Sequence, residues 1–448
     1  MLRTLPSPRF RRLPLLIALA VAFGASAQAQ SLLDLYGAAR GYDAAYQSAK
    51  AQFDATLYKA DQAKALLLPK VSLGANASRT NYESGSIPAA ATDRMFNTQS
   101  ATLSASQALY HPADNATYAQ SLKGNEQAAA ALKAAEQDLM VRLSQAYFDV
   151  LASSDSLTFV KAQKAAVQEQ LAFAKRNFEV GTSTITDTRE AQARFDLVVA
   201  QEIAAANDLR VKSLALTQLV GLQAAQPKPV VEAVALDAFA PKNLDQWVSQ
   251  SQTENPNVQQ LQAALEVAQL ETRKARAGHL PTVDLVASYQ ASTNNGSATT
   301  SKDYGSNVTS VGVSLSMPLF LGYSVQNRVK ETISLESKTQ SDLANAQRQA
   351  AQNTRTAYYG VESGLGQVKA YEAAEISSQS ALDANKLGYQ VGVRINIDVL
   401  NAQSQLYDTK AKLAKARYDV LVGSLRLRQA SGTLSEADLQ AVNALLAK

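Results

Sequence analysis

Among the residue types that could do chemistry in this chain, cysteine is missing altogether and histidine occurs only as His111 and His279. Thiol nucleophiles, disulfides and metal sites built from cysteine and histidine are therefore excluded. Each histidine stands beside a helix breaker, His111 before Pro112 and His279 two residues before Pro281. Neither has an apparent base or nucleophile as partner, so both read as structural, and an enzyme is the function class that fares worst. No cofactor and no metal is expected. What remains is the chemistry of charge, hydrogen bonding and apolar contact, whose effect depends on the elements that position it.

Those elements come in two copies. Shifting the chain by about 211 residues against itself aligns Leu68-Pro69-Lys70-Val71 with Leu280-Pro281-Thr282-Val283, and Ala146-Tyr147 with Ala357-Tyr358. Phe178-Glu179-Val180-Gly181 aligns with Tyr389-Gln390-Val391-Gly392, Asp187 and Ala191-Gln192 with Asp398 and Ala402-Gln403, and Gly221 with Gly432. Order and spacing are both kept, the mark of an internal repeat. Each copy reads helix, strand, loop, strand, long helix, short turn, helix. The expected division is a leader over 1–29, a first repeat over 30–221, a linker over 222–255, a second repeat over 256–432 and a tail over 433–448. The segment Gln226 to Pro241, Trp247 and the tail from Ser435 are expected to pack together as a small collar.

In the first copy a helix is expected from Leu32 to Leu67, ended by Pro69. Alternation then sets in: Val71, Leu73, Ala75 and Ala77 on one face, Ser72, Gly74, Asn76 and Ser78 on the other. A loop with Gly85 and Pro88 leads to a return strand in which Ala101, Leu103 and Ala105 oppose Thr102, Ser104 and Ser106. The second copy has Val283, Leu285, Ala287 and Tyr289 on one face, a loop with Asn294-Asn295-Gly296, and a return strand carrying Val311, Val313, Leu315 and Met317. Period-2 alternation is what a strand between an apolar and a wet phase requires. Tyr82, Phe96, Tyr110, Tyr289, Tyr304 and Phe320 are expected near strand ends, as in the aromatic girdles of membrane barrels. Pattern alone fits a soluble hairpin pair equally well. If the strands lie in lipid, however, four cannot close a barrel, whose minimum is about eight, and open edges in lipid leave backbone groups unpaired. Several chains would then share one barrel; three would supply about twelve strands, and two, supplying about eight, are not excluded by this count.

Helical patterns over 113–178 and 324–387 are each ~65 residues, or ~100 Å at 1.5 Å per residue. Such lengths belong to coiled coils. The chain turns at Gly181 and Gly392, and returning helices follow over 188–220 and 399–430, with Thr186 or Asp187 and Asp398 as N-cap candidates. In the last of these, Val399, Leu406, Leu413, Val420 and Leu427 recur every seven residues beside a stripe of Ala402, Thr409, Ala416 and Gly423. An apolar heptad seam next to a small-residue seam allows close packing on two sides, as a wall of helices needs.

Arg3, Arg9, Arg11 and Arg12, an apolar run from Leu13 to Phe23 and small residues at Ala25-Ser26-Ala27 and Ala27-Gln28-Ala29 form the pattern of a secretory signal peptide. The 43 basic and 39 acidic residues become 39 against 39 once the four leader arginines are removed. A neutral mature chain gives no reason to expect nucleic acid as a partner. No stretch approaches the ~20 apolar residues of a membrane helix.

At the two turns, Phe178 to Asp187 and Tyr389 to Ala402, and at Gly278-His279-Leu280-Pro281-Thr282-Val283-Asp284-Leu285, the chain resembles the TolC-like family of outer-membrane efflux and secretion channels. The likeness covers nearly the whole mature chain. It implies a mixed α and β membrane protein: four strands per protomer in a shared twelve-stranded outer-membrane barrel, continued by a long α-helical coiled-coil barrel in the periplasm of a Gram-negative bacterium. It also implies a homotrimer in outer-membrane lipid, docked on a periplasmic adaptor and an inner-membrane transporter of the ABC, RND or MFS type. By the same resemblance Tyr389, Arg394 and Asp187, with Thr186 beside the last, would hold the periplasmic constriction shut, through an Arg394–Asp187 bond. Asp398 would form a pore ring, while Asn401 stands where the family has a second aspartate, which weakens the expected cation filter. Gly181, Thr182, Gly392 and Val393 match the tips where an adaptor would dock, small residues there permitting close approach. The alternative is a periplasmic coiled-coil adaptor of the same machinery, which would normally carry one helical hairpin with lipoyl-like and barrel domains.

Overall fold

A computed structural model describes residues 29–83, 93–222, 225–231, 236 and 241–447. The expected leader falls outside these residues but for Ala29, and so do Gly85 and Pro88 of the first loop. Ser31 opens α1 (Leu32–Tyr42) with a capping box to Asp34. The single helix expected over Leu32–Leu67 is in fact two, because the chain breaks at Asp43 before α2 (Ala44–Ala65). Asp43 takes an extended backbone and its carboxylate accepts from the Tyr46 amide at 2.8 Å. Both terminal nitrogens of Arg142 grip the same carboxylate at 3.1 Å, and this guanidinium holds the Asp43 carboxyl below the usual carboxylate range.

Pro69 ends the helical approach, and β1 (Lys70–Tyr82) and β2 (Arg94–Tyr110) follow. After the long α3 (Pro112–Glu179) and the returning α4 (Ile185–Val220), the order repeats. The second set is α5 (Leu244–Glu254), α6 (Pro256–Ala277), β3 (Thr282–Asn294), β4 (Tyr304–Ser316), α7 (Ser324–Gln390) and α8 (Asn396–Ser431), closed by α9 (Glu436–Asn443). Helix α5, which the sequence reading left in the linker, stands to α6 as α1 stands to α2. The break between them is Asn255, whose side chain caps the Asn257 amide at 2.9 Å and donates to the Ala430 carbonyl at 2.9 Å. The chain passes so close here that a Cβ on Gly432, at φ +83°, would lie 2.3 Å from the Glu254 carbonyl oxygen.

The four strands form one antiparallel sheet in the order β1-β2-β3-β4. Its register keeps the two faces distinct. One row runs Leu73, Leu103, Tyr289, Thr309, and the next Val71, Ala105, Ala287, Val311. The opposite face carries the row Ser72, Ser104, Ser288, Ser310, whose hydroxyls pair at 2.7 Å across β1–β2 and 2.8 Å across β3–β4. The apolar side is left open: Leu73, Val311, Val313 and Leu315 are all exposed. β1 and β4 each keep one unpaired edge. Tyr82 and Tyr110 end their strands as expected, but Tyr289 sits in mid-strand opposite Leu103 and Thr309. The strand extends beyond it to Asn294, so the girdle expectation fails for this residue.

The long helices run 68 and 67 residues, about 100 Å each. Among the described residues no helix is long and apolar enough to cross a membrane. The heptad seam of α8 is buried at Val399, Leu406, Leu413, Val420 and Leu427. Beside it the small residues admit α7: a Cβ on Gly364 would meet Val420 at 3.0 Å, and one on Gly423 would meet Val361 at 3.4 Å. The largest core lies at the helices' equator, where Leu32 and Leu35 of α1 pack with Leu143, Tyr147 and Phe148 of α3 and Leu439 of α9. Two bridges, Gln30 with Pro227 and Val230 with Leu446, tie the connecting segment and the tail into it. Residues 223–224, 232–235 and 237–240 of the expected collar lie outside the described residues.

His111 is not without partners, as its sequence neighbourhood suggested. Its Nδ1 is 2.9 Å from Asp114 and its Nε2 3.0 Å from Asp284. The cause is strand pairing, which sets Asp284 opposite Ala108 and so beside the end of β2.

Candidate functional site: the paired helix tips

The two turns have the same backbone. In the first, Gly181 at φ +77° lets the amides of Thr182 and Ser183 reach back to the Asn177 carbonyl at 2.8 and 3.3 Å. In the second, Gly392 at φ +77° lets Val393 and Arg394 reach the Gly388 carbonyl at 2.8 and 3.1 Å. This satisfies carbonyls that a helix end leaves without partners, and the positive φ is what calls for glycine. A Cβ at either glycine would have open space, so conformation and not crowding fixes the residue type. Thr182 also spends its hydroxyl on the Asn177 carbonyl, at 3.1 Å.

The helix starts differ from the N-caps expected at Thr186 or Asp187 and at Asp398. The first cap is Thr184, whose hydroxyl accepts from the Asp187 amide while the Asp187 carboxylate accepts from the Thr184 amide at 3.0 Å. Asp187 is thus the third residue of a capping box, and Thr186 is exposed beside it. The second cap position is Ile395, which has no side chain able to cap. Asp398, its third residue, is left to pair with Arg394 at 3.7 Å.

Arg394 and Asp187 are therefore not bonded to each other within this protomer. Local chemistry has taken both: the carboxylate closes its own box, and the guanidinium turns to the acid four residues on along its own helix. The Arg394 stem lies over Gly388, where a Cβ would come within 2.7 Å of it. Tyr389 does approach the expected place. Its ring packs edge-on against Phe173 at 5.8 Å, and its hydroxyl is buried without a hydrogen bond of ordinary geometry. Burial raises its pKa above that of a free phenol; Asn177 opposes the shift and the nearby Asp187 charge adds to it.

Asn401 does not stand alone on its helix: its Oδ1 accepts from Arg194 Nη2 of α4 at 2.7 Å. Sequence reasoning missed three neighbours altogether. Asn396 is wholly buried, donates to the Asp187 carbonyl at 3.2 Å and accepts from Gln170 of α3. Arg194 and Gly388 were also passed over. The one available signal was the polar residue between Ile395 and Ile397, at the place the first copy fills with Ile185. The extreme ends of both tips are apolar and exposed, at Val180, Ile185, Val391, Val393 and Ile395. Among the described residues no cluster of histidine and carboxylates could hold a metal.

Comparison with known proteins agrees with this arrangement. The family profile described as outer membrane efflux protein matches residues 35–222 and 247–433, one stretch in each copy of the repeat. The outer membrane protein TolC of Vibrio cholerae is 33% identical over 438 residues, covering 96% of this chain and 98% of that one. The alkaline protease secretion protein AprF of Pseudomonas aeruginosa is 32% identical, covering 93% and 87%. The solved structure of the Campylobacter jejuni CmeC outer membrane channel superposes with a TM-score of 0.77 at 16% identity, covering 93% of this chain and 90% of that one. A four-stranded sheet and two long helical hairpins, matched end to end by channels, set aside the periplasmic-adaptor alternative. The chain belongs to the outer membrane efflux protein family, a TolC-like channel of the outer membrane of a Gram-negative bacterium with the mixed α and β channel-tunnel fold.

Proposed function

We propose that three copies of this chain assemble into an exit duct without catalytic chemistry, a twelve-stranded barrel in outer-membrane lipid continued by a helical tunnel that serves efflux and type I protein secretion. The single observation that carries the reading is the sheet. Its two free edges and its open apolar face belong in lipid only if neighbouring copies pair with β1 and β4, since an unpaired backbone group there costs several kcal/mol. The serine rows of the other face then line a wet lumen. The printed names of relatives support both cargo types: AprF is a protease secretion protein, and BepC of Brucella suis is an outer membrane efflux protein.

The tips are the end of the tunnel that meets the rest of the machine. Exposed Val180, Val391 and Val393, set beside Gly181, Thr182 and Gly392, suit the apolar tip-to-tip contacts of a periplasmic adaptor, itself carried on an inner-membrane transporter. Thr186, Asp187, Tyr389 and Arg394 cluster where the two hairpins meet and form the gate region, with Asp398 nearest the axis as the anionic ring. The test is the native mass of the purified protein in detergent, followed by conductance in planar lipid bilayers. A trimer giving small, cation-preferring openings is expected. A monomer that stays in water without detergent would end the proposal.

A further inference from the structure

The gate region contains no ion pair between its two hairpins at the tip, yet the hairpins are tied there. Going up from the turn, α8 presents one face to α3 and α4 through Asn396, Leu400, Asn401 and Ser404, positions that share a side of a helix. Each polar member of that face has a partner on the first repeat. Asn396 donates to the Asp187 carbonyl at 3.2 Å and accepts from Gln170, Asn401 accepts from Arg194 at 2.7 Å, and Ser404 accepts from Gln163 at 3.4 Å. The spacing is regular: Gln163 and Gln170 are seven apart on α3, and Asp187 and Arg194 seven apart on α4, two helical turns in each case. Between the rungs Leu400 is buried with Val167, Leu171 and Val198. Asn396 is fully enclosed and Gln163 nearly so.

We propose that the latch holding the second hairpin against the first at the tunnel's periplasmic end is this ladder of hydrogen bonds to uncharged acceptors, centred on Asn396, with Gln170, Arg194–Asn401 and Gln163–Ser404 as rungs. The inference rests on the exit-duct reading, and it says what keeps that duct shut. The ladder differs from an ionic latch in two ways. None of its rungs joins opposite charges, so salt has little to screen. Its central member is buried, so removing it strands two partners in an apolar seam, where an unmade hydrogen bond costs more than a made one contributes. The Arg394–Asp398 pair lies within one helix and is exposed, so it cannot hold two hairpins together.

The experiment is planar-bilayer recording of the full-length protein. Asn396→Ala is expected to raise open probability about tenfold or more, and Arg394→Ala by less than about threefold. Raising salt from about 0.1 M to about 1 M should leave the wild-type open probability within about twofold. The reverse ranking, or steep opening with salt, would overturn the ladder. Because a variant could fold poorly, the geometry has its own readout: the chain has no cysteine, so Gln170→Cys with Asn396→Cys supplies the only thiols. Oxidation should form the cross-link on a non-reducing gel and shut the channel, and reductant should reopen it. A cross-link that does not form, or that forms and leaves open probability unchanged, would refute the proposal. Wild-type protein that never conducts would instead sink the exit-duct reading, and the gel would report on the helix contact independently of it.

Discussion

The tips at 178–187 and 389–398 share a backbone and divide the labour of their side chains. In the first, Thr184 and Asp187 close a capping box, so the helix start is satisfied by its own residues. In the second, Ile395 occupies the cap, leaving Asp398 and Arg394 with each other, while buried Asn396 reaches across to the first tip. The duplication thus yields one self-sufficient turn and one that depends on its neighbour. A structural element copied twice needs only one copy to be stable alone, and the other is free to become the part that moves.

The largest effect should fall on what the tips have in common. Gly181→Ala and Gly392→Ala each force a Cβ into the left-handed region, at about 1–2 kcal/mol. Because neither site is crowded, the two costs should be equal. Hydrogen exchange at the amides of 182–188 and 393–399 would measure them, and unequal losses would mean the backbones are not equivalent. Next comes the cap. Thr184→Ala should loosen the start of α4 by about 1 kcal/mol, whereas Ile395→Ala should scarcely touch α8, having no cap bond to lose. Equal effects would erase the distinction.

The smallest is a pH effect confined to one tip. Tyr389 is a buried phenol with a raised pKa, and its counterpart Phe178 cannot ionise. The folded state therefore holds its proton more tightly than the unfolded chain. The stabilisation is complete below about pH 10, the unfolded value, and is lost as pH rises through the higher folded value. Exchange at 393–399 should quicken above that pH while 182–188 stays protected, and Tyr389→Phe should abolish the difference.

Much of this was legible beforehand, and the reason is local. The turn glycines, the alternating strands and the heptad seam of α8 are each written in a few neighbouring residues, because backbone conformation and side-chain facing follow from short-range periodicity. The caps were misplaced by two or three positions because Thr184, Thr186 and Asp187 are all able to cap, and only the geometry of the turn selects among them. The Asp43 break was invisible because its stabilising partner, Arg142, is about a hundred positions away.

By itself the sequence determined the duplication, the two-faced sheet and the length of the tunnel helices, since each depends on residue type at fixed spacing along one element. Only the tertiary structure decided which polar group meets which: that Arg394 turns to Asp398, that Asn401 takes Arg194, and that Asn396 is enclosed between helices. Those pairings depend on how one long helix is rotated and slid against another. A shift of a single residue in that register exchanges every partner while leaving the pattern of each helix unchanged.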